Sequence, residues 1–247
     1  MSFAVIGGTG LAKLTDVFDE SVKELIDTPY GKAEITSGDY KGHKIYFLAR
    51  HGFAHTIVPH LINYQANIWS LKELGVESIY ASAAVGSLSK NIKPGDFILP
   101  DQFLDFTKSR RCTFFDGINK ELKHTDMTEP YDKQLRIALT KAAKEKDVRL
   151  HPCGTYVCTE GPRFETPAEI KIFKQMGADI VGMTGVPEVV LAKELGIKYA
   201  TLAIITNYAA GITDSKLTFE ECLEEIKKRD KLVMEIFMDA AEIGGML

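Results

Sequence analysis

Short apolar runs alternate along this chain with longer stretches whose apolar residues recur three and four positions apart. The runs Phe3 to Ile6, Lys44 to Ala49, Ser78 to Ala84, Phe97 to Leu99, Gly154 to Cys158, Ile180 to Gly182 and Tyr199 to Asn207 predict strands. Brief, nearly continuous apolar segments bounded by turn formers suit strands buried on both faces, and the periodic segments between them suit helices, so the fold class is α/β. Thr166-Pro167-Ala168-Glu169 combines an N-cap, a first-turn proline and a capping-box glutamate, and Thr218 with Glu221 repeats the box before what reads as one long final helix. Between Asp101 and Tyr131 the pattern weakens into mixed aromatics and charges, as in a loop that borders a site or a subunit contact. No repeat, low-complexity stretch or linker interrupts the pattern, and residues 1–247 read as one domain.

Composition narrows the classes. At 45% hydrophobic and 26% charged residues the chain matches an ordinary globular domain, which argues against disorder, collagen-like repeats and disulfide-dense scaffolds. The formal charge of -4 arises from 30 basic and 34 acidic residues spread along the chain, with no basic stripe to follow a phosphate backbone, so nucleic acid is not an expected partner. No apolar run reaches membrane-spanning length and Met1 to Gly10 lacks a signal-peptide pattern, so a cytoplasmic protein without membrane partners is expected. The four cysteines, Cys112, Cys153, Cys158 and Cys222, form no CxxC pair; zinc and dithiol chemistry are not expected, and the thiols read as reduced.

Candidate chemistry gathers at strand ends, where open α/β sheets collect ligands. Gly7-Gly8-Thr9-Gly10 follows an apolar strand; its small residues let backbone N–H groups approach an anion, and the Thr9 hydroxyl adds a donor. An ordinary tight turn fits equally well, and a dinucleotide fingerprint would need glycine where Lys13 stands. Arg50 and His51 end the strand Lys44 to Ala49, where a planar guanidinium suits a phosphate bidentately; a surface turn is the plain alternative. His55 and His60 follow, but without neighbouring acids they make a poor metal set. Val85-Gly86-Ser87 and Gly182-Met183-Thr184-Gly185 offer further small-residue exits, with Thr184 as a donor and Met183 as packing surface. Phe164, Glu165 and Asn207 supply an aromatic face, a carboxylate acceptor and an amide, which together suit a purine; each alone reads as a turn, an ion pair or a cap.

Taken in order, the blocks Ile6 to Gly10, Leu48 to Gly52, Ile62 to Trp69, Ala84 to Ser87, Glu160 to Phe164 and Gly182 to Val189 resemble the trimeric purine nucleoside and methylthioadenosine phosphorylases of the nucleoside phosphorylase superfamily. The resemblance runs from about Ala4 to Gly211. It implies a single-domain three-layer α/β/α fold with a mixed central sheet. It also implies inorganic phosphate as co-substrate with no other cofactor, and a homotrimer or a pair of trimers. Phosphate would then be held by Thr9, Arg50, His51, Ala83, Ala84 and Thr184, and the ribose would lie against Met183. Phe164 would face the base, Glu165 and Asn207 would be the catalytic pair, and His124 would reach the site of a neighbouring subunit.

Members that cleave methylthioadenosine carry aspartate where this chain has Asn207 and again at Ala209, and usually lack the acid at Glu165. The departure resembles the 6-oxopurine branch, so inosine and guanosine are expected substrates. The Arg50 to Gly52 and Asn63 to Asn67 segments lie nearer the methylthio branch, which adds S-methyl-5'-thioinosine. A methylthioadenosine phosphorylase with relaxed base choice is the alternative; a non-catalytic or dehydrogenase-like nucleotide-binding module built on Gly7 to Gly10 is the remote one.

Overall fold

The apolar runs become the middle of one sheet. The structure, a computed structural model, describes residues 2–8, 18, 20–117 and 122–247. In chain order the elements are β1 (Phe3–Gly7), β2 (Ser21–Thr28), β3 (Gly31–Tyr40), β4 (His43–Ala49), α1 (Tyr64–Glu73), β5 (Ser78–Ser87), β6 (Phe97–Ile98), β7 (Gln102–Phe106), α2 (Lys133–Glu145), β8 (Leu150–His151), β9 (Thr155–Thr159), α3 (Pro167–Gln175), β10 (Ile180–Gly182), α4 (Gly185–Glu194), β11 (Lys198–Tyr208), α5 (Phe219–Lys227) and α6 (Asp230–Ile243). The main path of the sheet runs β2-β3-β4-β1-β5-β10-β9-β7, and β11, β6 and β8 extend it from β5. β1 pairs in parallel with β4 and β5, whereas β3 with β4 and β10 with β5 are antiparallel, so the sheet is mixed, as the resemblance implies.

Alternate side chains of the central strands enter two cores, as the period of two requires. Ala4, Ile6, Ile79, Ala81 and Ala83 pack with Ile68 and Leu71 of α1 and with Val189 and Leu191 of α4. Phe3, Val5, Tyr80, Leu202 and Ile204 pack with Leu135 and Leu139 of α2 and with Val233 and Phe237 of α6 on the other face. Helices on both faces make the three-layer arrangement. α3 starts where the sequence places it, with both halves of the Thr166–Glu169 capping box formed.

Two local expectations change. β2 and β3 form an antiparallel pair that the apolar pattern does not predict, because β2 is almost wholly exposed and carries Lys23, Glu24 and Asp27. The long final helix is two helices: α5 ends at Lys227, and α6 begins after Arg229, whose Nε donates to Gly95 O at 3.0 Å. Among the described residues of the segment Asp101 to Tyr131, β7 is the one regular element.

β5 sets the stage for the site. β11 occupies one whole edge of it, pairing from Ser78 to Ser87. The opposite edge is shared: β1 covers Ser78 to Ala81, and β10 covers only Gly86 and Ser87. Between them the edge from Ser82 to Val85 lacks a strand partner among the described residues. Backbone polar groups at such a gap need partners from elsewhere, which makes it a natural ligand site.

Candidate active site

A cavity of about 420 Å³ opens at this gap, a volume suited to a small molecule. Gly8, at the end of β1, turns its N–H to Ser82 Oγ at 3.0 Å, and Ala83, Ala84, Val85 and Gly86 line the cavity beyond it. The Gly8 backbone approaches so closely that an added Cβ would lie 3.2 Å from Arg50 Nη1 and 3.3 Å from Ser82 O.

Arg50 follows β4 and is 1% exposed. Its Nε and Nη2 donate to Glu188 at 2.7 and 2.5 Å, and its Nη1 donates to Ser82 O at 2.9 Å. The Nε–Nη2 edge of the fork, offered by the sequence reading to an anion, therefore belongs to Glu188 on α4, which is 0% exposed and also accepts from the Tyr199 hydroxyl at 2.7 Å. Burial opposes the charge on Arg50, but the Glu188 carboxylate and its hydrogen bonds outweigh that penalty and raise the guanidinium pKa. Arg50 still lines the cavity, now as one member of a compensated pair.

His51 holds its ring by a 2.7 Å bond from Nδ1 to the carbonyl of Ile57. A carbonyl only accepts, so Nδ1 carries the hydrogen and Nε2 of the neutral ring is an acceptor. Burial pushes the His51 pKa down to about 4; the bond to Ile57 opposes this, and the Arg50 and His55 charges reinforce it. Thr184 precedes α4, is buried, and makes no capping bond with its side chain, while its backbone N–H donates to Tyr156 Oη at 3.2 Å. Thr184 and Met183 both line the cavity.

Phe164, Glu165 and Asn207 line the same cavity. Phe164 and Glu165 lie just before α3, and Glu165 is 8% exposed, with Oε1 accepting from the Thr159 hydroxyl at 2.6 Å. Burial raises the Glu165 pKa, and the bond from Thr159 partly offsets the rise. Asn207 ends β11 just past a bulge, a register shift between Ile205 and Asn207 that sets Asn207 opposite Gly86. The bulge interrupts the alternation of β11 and turns its end toward the cavity. Phe219, Cys222 and Ile226, one apolar stripe of α5, also line the cavity, as do His55, Thr56, Val58 and Pro59.

The cavity thus brings together Arg50, His51, Ala83, Ala84, Phe164, Glu165, Met183, Thr184 and Asn207. Thr9 lies outside the described residues. His124 is exposed and is not part of this wall. The sequence reading did not find Glu188, the α5 stripe or Thr206. Spacing three and seven apart in α5 looks like a core face, and Glu188 is joined to Arg50 only by the fold. Among the described residues no group of three His, Cys, Asp or Glu side chains is placed to hold a metal ion. No helix among them is long and apolar enough to cross a membrane.

Fold and cavity together define an α/β enzyme whose cavity, at a gap in the sheet, is lined by a guanidinium, an imidazole, a hydroxyl residue, an aromatic ring, a carboxylate and an amide. The chain belongs to the phosphorylase superfamily, whose family model matches residues 2–241. It is 51% identical over 238 residues to a probable 6-oxopurine nucleoside phosphorylase of Dictyoglomus turgidum, covering 96% of this chain and 89% of the relative. A probable S-methyl-5'-thioinosine phosphorylase of Methanothermobacter thermautotrophicus is 47% identical over 238 residues, covering 96% and 82%. Among solved structures, methylthioadenosine phosphorylase from Schistosoma mansoni in complex with adenine superposes with a TM-score of 0.93 at 34% identity, covering 100% of this chain and 93% of that one.

Proposed function

We propose that this enzyme cleaves 6-oxopurine nucleosides with inorganic phosphate, giving the free base and an α-pentose 1-phosphate. The observation that carries the reading is that Glu165 and Asn207 line the same cavity as Arg50, His51 and Thr184. An ionised Glu165 accepts the N1–H of a 6-oxopurine, and Asn207 donates to the ring's acceptors, N7 or O6. Phosphate sits at the gap in β5 against the segment at Ala83 and Ala84, with Arg50, Thr184 and Thr9 donating to its oxygens and His51 Nε2 accepting from a phosphate O–H. One of its oxygens attacks C1', the bond from C1' to the base breaks, and the bonding pair leaves with the purine. Hydrogen bonds to N7 or O6 strengthen as negative charge spreads over the ring, which lowers the barrier without a covalent enzyme intermediate. Holding both reactants in near-attack geometry contributes much of the remaining acceleration.

S-Methyl-5'-thioinosine stands beside inosine and guanosine, because Val58, Pro59, Phe219 and Ile226 give the cavity an apolar lining that suits a methylthio group. We further propose a cytoplasmic homotrimer, or a pair of trimers, acting as one domain with phosphate in place of a cofactor. The four free thiols suit a reducing compartment, and Leu61 at 68% and Leu122 at 80% exposure suit burial between subunits. In that assembly His124 approaches a neighbour's cavity.

The test is a panel of inosine, guanosine, adenosine, methylthioinosine and methylthioadenosine, each with and without phosphate. Cleavage should require phosphate and should favour the 6-oxopurines. Arg50→Ala should lower phosphate-dependent turnover by about a hundredfold or more, the scale of a lost charge-assisted contact. Equal turnover in phosphate-free buffer overturns the reading, and sedimentation at the mass of one chain overturns the assembly.

A further inference from the structure

The amide of Asn207 is held from three sides. Its Oδ1 lies 2.7 Å from Thr206 Oγ1 and 3.3 Å from Cys222 Sγ, and its Nδ2 lies 3.0 Å from the carbonyl oxygen of Tyr208. The Tyr208 carbonyl can only accept, which fixes the nitrogen on that side, and the Thr206 hydroxyl then donates to Oδ1. Of the two Nδ2 hydrogens one goes to Tyr208, and the other is available to a ligand in the cavity. Gly86 leaves the room this needs, since a Cβ there would lie 3.0 Å from Nδ2.

We propose that Thr206 and Cys222 are positioning residues that lock the Asn207 amide with its NH₂ group toward the purine, and that this lock excludes 6-aminopurines. The inference rests on the reading of Asn207 as a contact to the base. An amide free to rotate by 180° serves either ring: its nitrogen donates to O6 or N7, and its oxygen accepts from a 6-amino group. Rotation here turns Oδ1 against the Tyr208 carbonyl and removes both donors from it, so the accepting face stays turned away from the cavity.

The two donors come from different elements. Thr206 is the extra residue of the β11 bulge and is 5% exposed. Cys222 is 6% exposed on α5, whose start is fixed by Thr218 accepting from Glu221 N. Each donor has a second acceptor at 3.3 Å, Thr218 O for the Cys222 thiol and Val85 O for the Thr206 hydroxyl, and Thr206, at 2.7 Å from Oδ1, is the stronger half of the lock. Burial raises the thiol pKa, against a smaller opposing effect of Thr206, which keeps Cys222 a donor.

The experiment measures kcat/KM for inosine and adenosine with saturating phosphate in the wild type and in Thr206→Val, Cys222→Ala, their double variant, and the rescues Thr206→Ser and Cys222→Ser. The inosine-to-adenosine ratio should fall about tenfold in the double variant, the factor of roughly one hydrogen bond, chiefly because adenosine improves. Cys222→Ala alone should give a smaller fall in the same direction. Both serine variants, which restore a donor, should return the wild-type ratio. A ratio unchanged in Cys222→Ala and in Thr206→Val overturns the lock. Should Thr206→Val melt below the assay temperature, the comparison of Cys222→Ala with Cys222→Ser decides alone: equal ratios overturn the lock. Asn207→Ala separates the two levels. If it leaves the ratio intact, Asn207 does not read the base; if it collapses the ratio while the Thr206 and Cys222 variants do not, only the lock fails.

Discussion

Replacing Glu188 with glutamine changes one atom in the middle of the protein. The carboxylate is fully buried, accepts two hydrogen bonds from Arg50 and takes a third from Tyr199. Glutamine keeps the shape and one acceptor, but in either orientation its NH₂ faces a guanidinium N–H of Arg50, and the Arg50 charge loses its counter-charge where water cannot replace it. Breaking a buried pair on one side costs about 3–5 kcal/mol. For a chain of this length each kcal/mol moves the melting temperature by about 2–4 °C, so Glu188→Gln should melt roughly 6–20 °C below wild type. Calorimetry at matched protein concentration, without phosphate, measures the shift, since ligand and assembly would both raise it. Glu188→Leu combined with Arg50→Met removes both charges and should regain most of the lost stability while leaving phosphate use crippled. That split separates the bond that holds α4 to the sheet from the phosphate contact proposed for Arg50. A melting temperature for Glu188→Gln within about 2 °C of wild type would refute the reasoning.

His51 titrates near pH 4 when folded against an ordinary 6.5, so the unfolded chain binds a proton across that window that the folded chain does not. Its contribution is full above pH 6.5 and is lost as pH falls toward 4, by roughly 3 kcal/mol, and denaturant unfolding should show a correspondingly shallower loss in His51→Asn. Glu165, raised by burial, should lose its negative charge at a higher pH than an ordinary carboxylate, so inosine kcat/KM should decline early on the acid side. Glu165→Gln should flatten that limb and lower inosine turnover by about 10- to 150-fold, the range of a hydrogen bond to a charged group. Gly86→Ala places a methyl 3.0 Å from Asn207 Nδ2 and 3.3 Å from Val181 Cγ1; stability should fall by about 1–3 kcal/mol, and turnover should fall more than the binding of phosphate, as steady-state kinetics would show.

The central strands are legible in the sequence because both of their faces are buried, and a run such as Tyr199 to Ile205 has no polar side to hide. β2 escapes the same reading because its partners are hydrogen bonds along β3, while its side chains stand in solvent. The break between α5 and α6 carries no proline or glycine; it follows from Arg229 reaching back to Gly95, a contact across 134 residues. The cavity residues at strand ends could be named from their chemistry and from the family resemblance. What could not be read is which partners they already have. Arg50 looks like a free cation until the fold sets Glu188 beside it, and Asn207 looks like a free amide until α5 brings Cys222 against it.

The bulge in β11 also bears on how such an enzyme can change over generations. From Tyr199 to Ile205 every position of β11 but Thr201 packs into one of two cores, so drift there is heavily constrained. One extra residue later the strand is released from that alternation, and Asn207 answers to the cavity it lines and to a few neighbours instead. A lineage can therefore alter the end of β11 and the facing turn of α5, trading one purine for another, while the hydrophobic grammar that folds the sheet stays untouched.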